Sequence, residues 1–138
     1  MAPWRHGGDM KTHPWTENAL KAVVIECATR GGWLIHHDLP SQRARGAWTT
    51  HTQGHSGFPD LVLVHPGDPG NGLMGQCLFV ELKSERGKVT AAQDAWLSAL
   101  QFAGLNVFLW RPDNYVDIRA RLLNWQNYAD KLEDISKP

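Results

Sequence analysis

The chain has 138 residues, a length that predicts one domain with one hydrophobic core. Its 14 Lys and Arg residues balance 14 Asp and Glu residues, so no overall positive charge indicates a nucleic-acid partner, and any polyanion must be bound by local charge. With 42% apolar and 20% charged residues, the composition excludes a disordered or fibrous protein.

The first part of the chain predicts one helix and one strand, followed by a long loop. Residues 1–15 mix Gly, Pro, His and Trp without a period, which predicts an irregular arm. Thr16 is a typical N-cap, and apolar residues at helical spacing predict a helix over 17–30 that a pair of glycines ends. A short strand is predicted over 33–36. Residues 39–59 have no acidic residue and no clear period, so they predict a long loop, with an unrecognised hairpin as the alternative.

The rest of the chain predicts three strands and two helices. Strands are predicted over 60–65 and 76–83, separated by the turn PGDPGNG, and over 106–110. Thr90 caps a helix that lies between the last two strands and ends at a glycine. A last amphipathic helix is predicted over 115–132. The inward face of the helix that Thr90 caps is predicted to consist of Ala92, Trp96, Leu97, Leu100 and Ala103.

The order of these elements, α-β-β-β-α-β-α, predicts an α/β fold. Strands interrupted by one crossover helix favour a mixed sheet that is flanked by helices. We expect a single domain over 16–132 and a tail over 133–138. Cys27 and Cys77 form no CxxC pair, and the amino end has no apolar segment, so we expect an unprocessed soluble protein in the cytoplasm.

Two predicted strands carry charged side chains at their ends. Side chains alternate between the faces of a strand, so Glu81 and Lys83 share one face. Asp60 begins the neighbouring apolar strand in GFPDLVLV. Two carboxylates and a lysine beside apolar strands are costly to desolvate unless they bind something, and carboxylate oxygens are the ligands of Mg²⁺ and Mn²⁺. The pattern therefore predicts a divalent-metal site, which the nearby polar helix residues Glu17 and Gln93 would join.

Each of these residues also has a simpler interpretation. Asp60 alone could be a turn residue, Glu81 and Lys83 an exposed ion pair, and Glu17 a carboxylate favoured by the helix dipole. Gln93 alone is typical of a surface amide. Their joint occurrence, each next to an apolar strand or helix face in this order, favours the metal site.

Three segments together resemble a known family. These are GFPDLVLV, LFVELKSERGKVTAAQDAWLSAL and GLNVFLWRP, and they contain the patterns G-x-P-D at 57–60, E-x-K at 81–83 and K-x-T-x-x-Q-x-x-W at 88–96. They resemble the PD-(D/E)XK nuclease superfamily, and most closely its VRR-NUC (virus-type replication-repair nuclease) branch. The resemblance extends over about 17–112.

The resemblance implies a restriction-endonuclease-like αβββαβ core, here followed by a carboxyl-terminal helix. It also implies Mg²⁺- or Mn²⁺-dependent hydrolysis of DNA to 5′-phosphate and 3′-hydroxyl ends, by a homodimer that acts on branched DNA such as four-way (Holliday) junctions in a phage or bacterial host. Asp60, Glu81, the Leu82 carbonyl and Glu17 would bind the metal. Lys83 would orient and help to deprotonate the attacking water. Gln93 would position water or the scissile phosphate.

A neutral protein that binds DNA needs its cations close to the site. Four residues of the acid-free loop and one lysine after Glu81 are candidates for phosphate contacts: Arg43, Arg45, His51, His55 and Lys88. The alternative is a solvated loop. Trp48 is a candidate for stacking on an unpaired base, although a loop aromatic more often only packs. Two other functions stay open, namely a nonspecific or nicking duplex nuclease and a DNA-binding module without catalysis.

Overall fold

The computed structural model of the protein describes residues 15–38, 41–42, 48–49 and 54–135. The helices are α1 (Glu17–Arg30), α2 (Ala91–Phe102), α3 (Tyr115–Leu123) and α4 (Leu132–Ile135). The strands are β1 (Leu34–His37), β2 (Ser41–Gln42), β3 (Trp48–Thr49), β4 (Leu61–His65), β5 (Gln76–Leu82) and β6 (Asn106–Trp110). In the described part of the chain, no helix combines the length and the apolar character needed to span a membrane.

Four of the strands form a mixed sheet, as predicted. Their order is β1-β4-β5-β6, with β1, β4 and β5 antiparallel to one another and β5 parallel to β6. Helix α2 connects the two parallel strands. Because Leu82 pairs with Trp110, the carboxyl ends of β5 and β6 lie side by side.

The core lies between one face of this sheet and the helices α1 and α3. Alternate residues of β4 and β5 point to this face, as the period-two pattern predicted, and are fully buried. The buried apolar cluster consists of Leu20, Val24, Cys27, Ala28, Trp33, Leu61, Leu63, Leu78, Val80, Leu82, Trp110, Ile118 and Leu122. The opposite face of β5 is therefore free to present polar side chains such as Glu81.

The predicted last helix over 115–132 is wrong in its length. Helix α3 ends at Leu123, a 3₁₀ turn follows over Trp125–Tyr128, and α4 covers only the end of the segment. The cause is tertiary, since the Trp33 indole donates a 2.9 Å hydrogen bond to the Leu122 carbonyl. In a longer helix, that carbonyl would accept the amide of the residue four positions later.

Two further expectations are corrected. The predicted loop over 39–59 contains a short antiparallel ladder between β2 and β3, so its hairpin alternative holds for the part that the structure describes. On α2, Ala92 and Ala103 are exposed, and only Leu97 of the predicted inward face is fully buried. The inward stripe instead runs through Gln93 and Leu97, because each residue turns the helix by about 100° and Gln93 faces the sheet.

Candidate active site

Three carboxylates from three separate elements meet at one end of the sheet. Glu17 is the first residue of α1, Asp60 directly precedes β4, and Glu81 lies in β5. Each offers an oxygen atom, and these three oxygens lie within 4.8 Å of one another. Negative charges at this separation repel unless a proton or a cation lies between them. The structure thus brings Glu17, Asp60 and Glu81 together, as the sequence predicted.

Glu81 is the buried member of this group. Its side chain is only 1% exposed. Burial, together with the neighbouring Asp60 carboxylate, raises the pKa of Glu81 to about 9. One carboxylate oxygen, Oε1, accepts a hydrogen bond from Gln93, whereas the other, Oε2, is buried and accepts no hydrogen bond from an N–H or O–H group of the described residues. A side-chain hydrogen bond between the Glu81 and Asp60 carboxyl groups contributes to the raised pKa of Glu81. A buried carboxylate oxygen without a donor is costly, and a bound cation would satisfy it.

Asp60 is held by the backbone of the strand beside it. The register pairs Leu61 with Val80, which places Asp60 opposite Glu81 on the same face of the sheet. Its Oδ2 atom accepts a 2.9 Å hydrogen bond from the Leu82 amide. The segment before Asp60 packs tightly on α2, because Gly57 lies so close that a Cβ atom there would be 2.5 Å from the Ala92 carbonyl carbon. Asp60 is thus fixed from both sides.

Glu17 completes the group from the first turn of α1. Its side chain is more exposed than that of Glu81. Partial burial and the Asp60 carboxylate raise the pKa of Glu17, whereas Lys83 and Lys21 lower it. Lys21 lies one turn further along α1. The sequence analysis did not identify it as a neighbour of the site, although residues four apart on a helix lie on the same side, so its spacing from Glu17 could have indicated this.

Lys83 lies directly beside the buried carboxylate. Its Nζ atom is 3.8 Å from Glu81 Oε1, and its side chain is 12% exposed. Its backbone amide donates a 3.0 Å hydrogen bond to the Trp110 carbonyl. The ammonium group therefore lies at the rim of the site, between the buried carboxylate and solvent.

Gln93 connects the amino end of α2 to the carboxylates. The side-chain Oε1 of Gln93 accepts a hydrogen bond from the Thr90 backbone amide. The Gln93 backbone amide donates in turn to the Thr90 hydroxyl, so the two residues form a capping box. The Nε2 atom donates to Glu81 Oε1 at 3.1 Å. Gln93 thus holds the Glu81 carboxylate in place, a contact that the sequence did not predict.

The five residues predicted to contact DNA are only partly described. Lys88 is exposed in the segment between β5 and α2. His55 is exposed, and its carbonyl accepts a 3.3 Å hydrogen bond from the Trp96 indole of α2. Arg43, Arg45 and His51 lie outside the described residues, as does the side chain of Trp48.

The chain matches one family of known proteins. The model of that family, described as the VRR-NUC domain, matches residues 33–114, which is more than half of the chain. The matched range contains Asp60, Glu81, Lys83 and Gln93 but begins after Glu17. No curated protein matches the chain, and neither does any solved structure.

Proposed function

The chain belongs to the VRR-NUC family of nuclease-type, DNA-processing domains, as its motifs predicted, and we propose that it is a divalent-metal-dependent endodeoxyribonuclease that prefers branched DNA. The observation that carries this proposal is the buried Glu81 oxygen without a donor, inside a group of three carboxylates. Three carboxylates this close together cannot all be ionised without a cation, so the metal-free protein keeps a proton on Glu81. A bound cation would replace that proton, which favours a metal-binding role over a structural one.

The donor set fits a hard divalent cation. Carboxylate and carbonyl oxygens are the ligands that Mg²⁺ and Mn²⁺ take in proteins. Glu17, Asp60, Glu81 and the Leu82 carbonyl would hold Mg²⁺ or Mn²⁺ here. When bound, such a cation makes water a stronger acid and offsets the negative charge that develops on phosphate oxygens.

The other polar residues have roles that follow from their positions. Lys83 is close enough to Glu81 to donate a hydrogen bond to a water at the rim of the site, so it would orient the attacking water and take part in its deprotonation. Gln93 would act mainly through Glu81, since its amide group already donates to that carboxylate. This role differs from the one expected from the sequence, in which Gln93 positions water or the scissile phosphate directly.

DNA would reach this site along local positive charge, because the chain has no net charge. Lys88 and His55 are exposed and would contact phosphates, together with the undescribed Arg43, Arg45 and His51.

The preference for four-way junctions and a homodimeric state are supported by the resemblance of the motifs, since two symmetric copies could present two sites to two strands. Cys27 and Cys77 are free thiols, which favours a reducing compartment such as the cytoplasm of a bacterium or a phage-infected host.

The decisive experiment compares a labelled four-way junction with linear duplex of the same sequence. We expect the wild-type protein to cut the junction faster with Mg²⁺ or Mn²⁺ and to cut neither substrate with excess EDTA. Glu81→Ala should abolish cleavage, whereas Asp94→Ala, which removes an exposed carboxylate from the first turn of α2, should not. The same samples are sized in solution to determine the oligomeric state.

The possible results separate the proposal from its alternatives. Equal cutting of both substrates would indicate a nonspecific nuclease, and single-strand breaks in closed circular duplex would indicate a nicking enzyme. Binding without cutting, at any concentration of either metal, would contradict catalysis and leave a DNA-binding module.

A further inference from the structure

Arg111 holds the turn that follows β5. Its Nη1 atom donates hydrogen bonds to three backbone carbonyls, those of Ser84 at 2.7 Å, Glu85 at 3.2 Å and Gly87 at 2.8 Å. Arg111 directly follows β6, and it is only partly exposed. The guanidinium group thus fixes backbone rather than forming an ion pair with a carboxylate of the described residues.

Two more contacts attach this turn to the end of β6. The Lys83 amide donates to the Trp110 carbonyl, and the Asp113 amide donates to the Glu85 carboxylate. With the three bonds from Arg111, these contacts fix both ends of the turn. None of them involves the three carboxylates of the site.

Lys83 is the residue immediately before this turn. Its ammonium group must remain near Glu81 Oε1, although a lysine side chain has four rotatable bonds and loses conformational entropy when it is fixed. The backbone on its amino side is fixed by β5, whereas the backbone on its carboxyl side is fixed mainly by Arg111. The Nη1 group has two N–H donors for these three carbonyls, so at least one N–H is shared between two of them, and the permanent positive charge strengthens each bond.

We propose that Arg111 is a positioning residue that holds the turn at 84–87 and thereby keeps the Lys83 ammonium beside Glu81. The expected effect of Arg111 on cleavage rests on the proposed nuclease function. The expected effect of Arg111 on the position of Lys83 does not. Lys88 follows Gly87, whose carbonyl Arg111 also holds, but it is exposed, so release of the turn should change its reactivity less than that of Lys83.

The first test measures how fast acetic anhydride modifies each lysine, with mass spectrometry as the readout. In the wild-type protein Lys83 should react more slowly than Lys88, because its side chain is 12% exposed. In Arg111→Ala the rate at Lys83 should rise severalfold, toward that of Lys88, while exposed Lys131 is unchanged. A general loss of structure would instead also raise the rate at half-buried Lys21 of α1, which lies outside the turn. Added methylguanidinium should return the Lys83 rate toward the wild-type value.

The second test measures cleavage kinetics in the same variants. Arg111→Ala should lower kcat by roughly 100-fold, the scale expected for a misplaced catalytic group, with little change in KM. Methylguanidinium should restore part of the rate. Arg119→Ala is the matched control, because Arg119 is exposed on α3 and interacts, among the described residues, with Tyr115 and electrostatically with Cys27, and it should cleave as the wild type does.

The two tests separate failure of the inference from failure of the nuclease proposal. Unchanged Lys83 modification in folded Arg111→Ala overturns the inference, whatever the activity. An inactive wild-type protein whose Lys83 modification responds to Arg111→Ala contradicts only the nuclease function. If Arg111→Ala does not fold, Arg111→Met replaces it, because methionine keeps an apolar stem without an N–H donor, and Lys83 modification at the wild-type rate in that variant overturns the inference.

Discussion

Gln93 Nε2 donates a hydrogen bond to Glu81 Oε1 across 3.1 Å, and this bond joins the amino end of α2 to the buried carboxylate of β5. The Oε1 atom of the same side chain accepts a hydrogen bond from the Thr90 backbone amide and so takes part in the capping box of α2. One side chain therefore serves both the start of a helix and the orientation of the carboxylate that we propose as a metal ligand. These two functions can be separated by mutation, because Thr90 takes part only in the first.

We expect Gln93→Ala to reduce cleavage more than Thr90→Ala does. Thr90→Ala should cost about 1 kcal/mol of stability, the usual effect of losing an N-cap. Gln93→Ala keeps the bond from its backbone amide to the Thr90 hydroxyl and loses two side-chain bonds, one from the Thr90 amide and one to Glu81, so kcat should fall about tenfold or more. Thermal unfolding and single-turnover cleavage measure the two effects. Equal activity of the two variants would contradict a role of Gln93 at Glu81.

The raised pKa of Glu81 predicts how stability depends on pH in the metal-free protein. The pKa of this carboxyl is raised from its ordinary value of 4.5 to about 9 in the folded protein. Between these values the folded protein keeps the proton and the unfolded chain releases it, so the free energy of unfolding falls as pH rises. Below 4.5 both states are protonated, and this contribution is constant. We expect EDTA-treated protein to unfold at a lower temperature at about pH 8.5 than at about pH 5.5.

Glu81→Gln supplies the control for this pH dependence. Glutamine cannot ionise, so the variant should lose the part of the pH dependence that Glu81 contributes and should be more stable than the wild type at alkaline pH. Binding of Mg²⁺ or Mn²⁺ should displace the proton, so the stabilisation by metal should increase with pH in the wild type only. Parallel stability curves for the two proteins would contradict the burial of an ionisable Glu81.

Two glycines before Asp60 offer a matched pair for testing the placement of this carboxylate. Gly54 and Gly57 have the same φ of +96°, a conformation that L residues rarely adopt. A Cβ atom at Gly57 would lie 2.5 Å from the Ala92 carbonyl carbon, whereas no atom of the described residues lies within 4 Å of one at Gly54. Each alanine variant should carry about 1–3 kcal/mol of backbone strain.

Only Gly57→Ala should add a steric clash with α2 and displace Asp60. We therefore expect a larger loss of thermal stability and weaker Mn²⁺ binding for Gly57→Ala than for Gly54→Ala, measured by unfolding and calorimetry. Equal Mn²⁺ affinity in both variants would show that close packing at Gly57 does not set the position of Asp60.

Lys88 is the exposed lysine that we expect to contact DNA phosphates. We expect Lys88→Ala to weaken junction binding and to reduce the slope of log affinity against log salt concentration by about 1, because one fewer counterion is released. Lys131→Ala is the control, since Lys131 is exposed near the opposite end of the β4–β5 pair, where its backbone bridges to Leu73. An unchanged slope for Lys88→Ala in fluorescence anisotropy would exclude a phosphate contact.

The sequence alone determined the elements whose signals are local. Helix α1 has the predicted bounds, because the N-cap at Thr16, the glycines after Arg30 and the apolar period between them all lie within the segment. Strand β6 also has the predicted bounds, which are those of NVFLW. Alternation along β5 predicted that Leu78, Val80 and Leu82 face the core while Glu81 faces away. The grouping of Glu17, Asp60 and Glu81 was also predicted, because it requires only the order of the strands and the face of each residue.

Only the tertiary structure decided what depends on contacts between distant residues. Helix α3 stops early because Trp33, 89 positions away from Leu122, takes a helix carbonyl, and no local pattern records that bond. The bond from Gln93 to Glu81 and the bonds from Arg111 to the turn after β5 depend on how a helix and a strand end pack on the sheet. Periodicity and capping lie within a few residues of chain, whereas the partner of a side chain is set by packing of the whole domain.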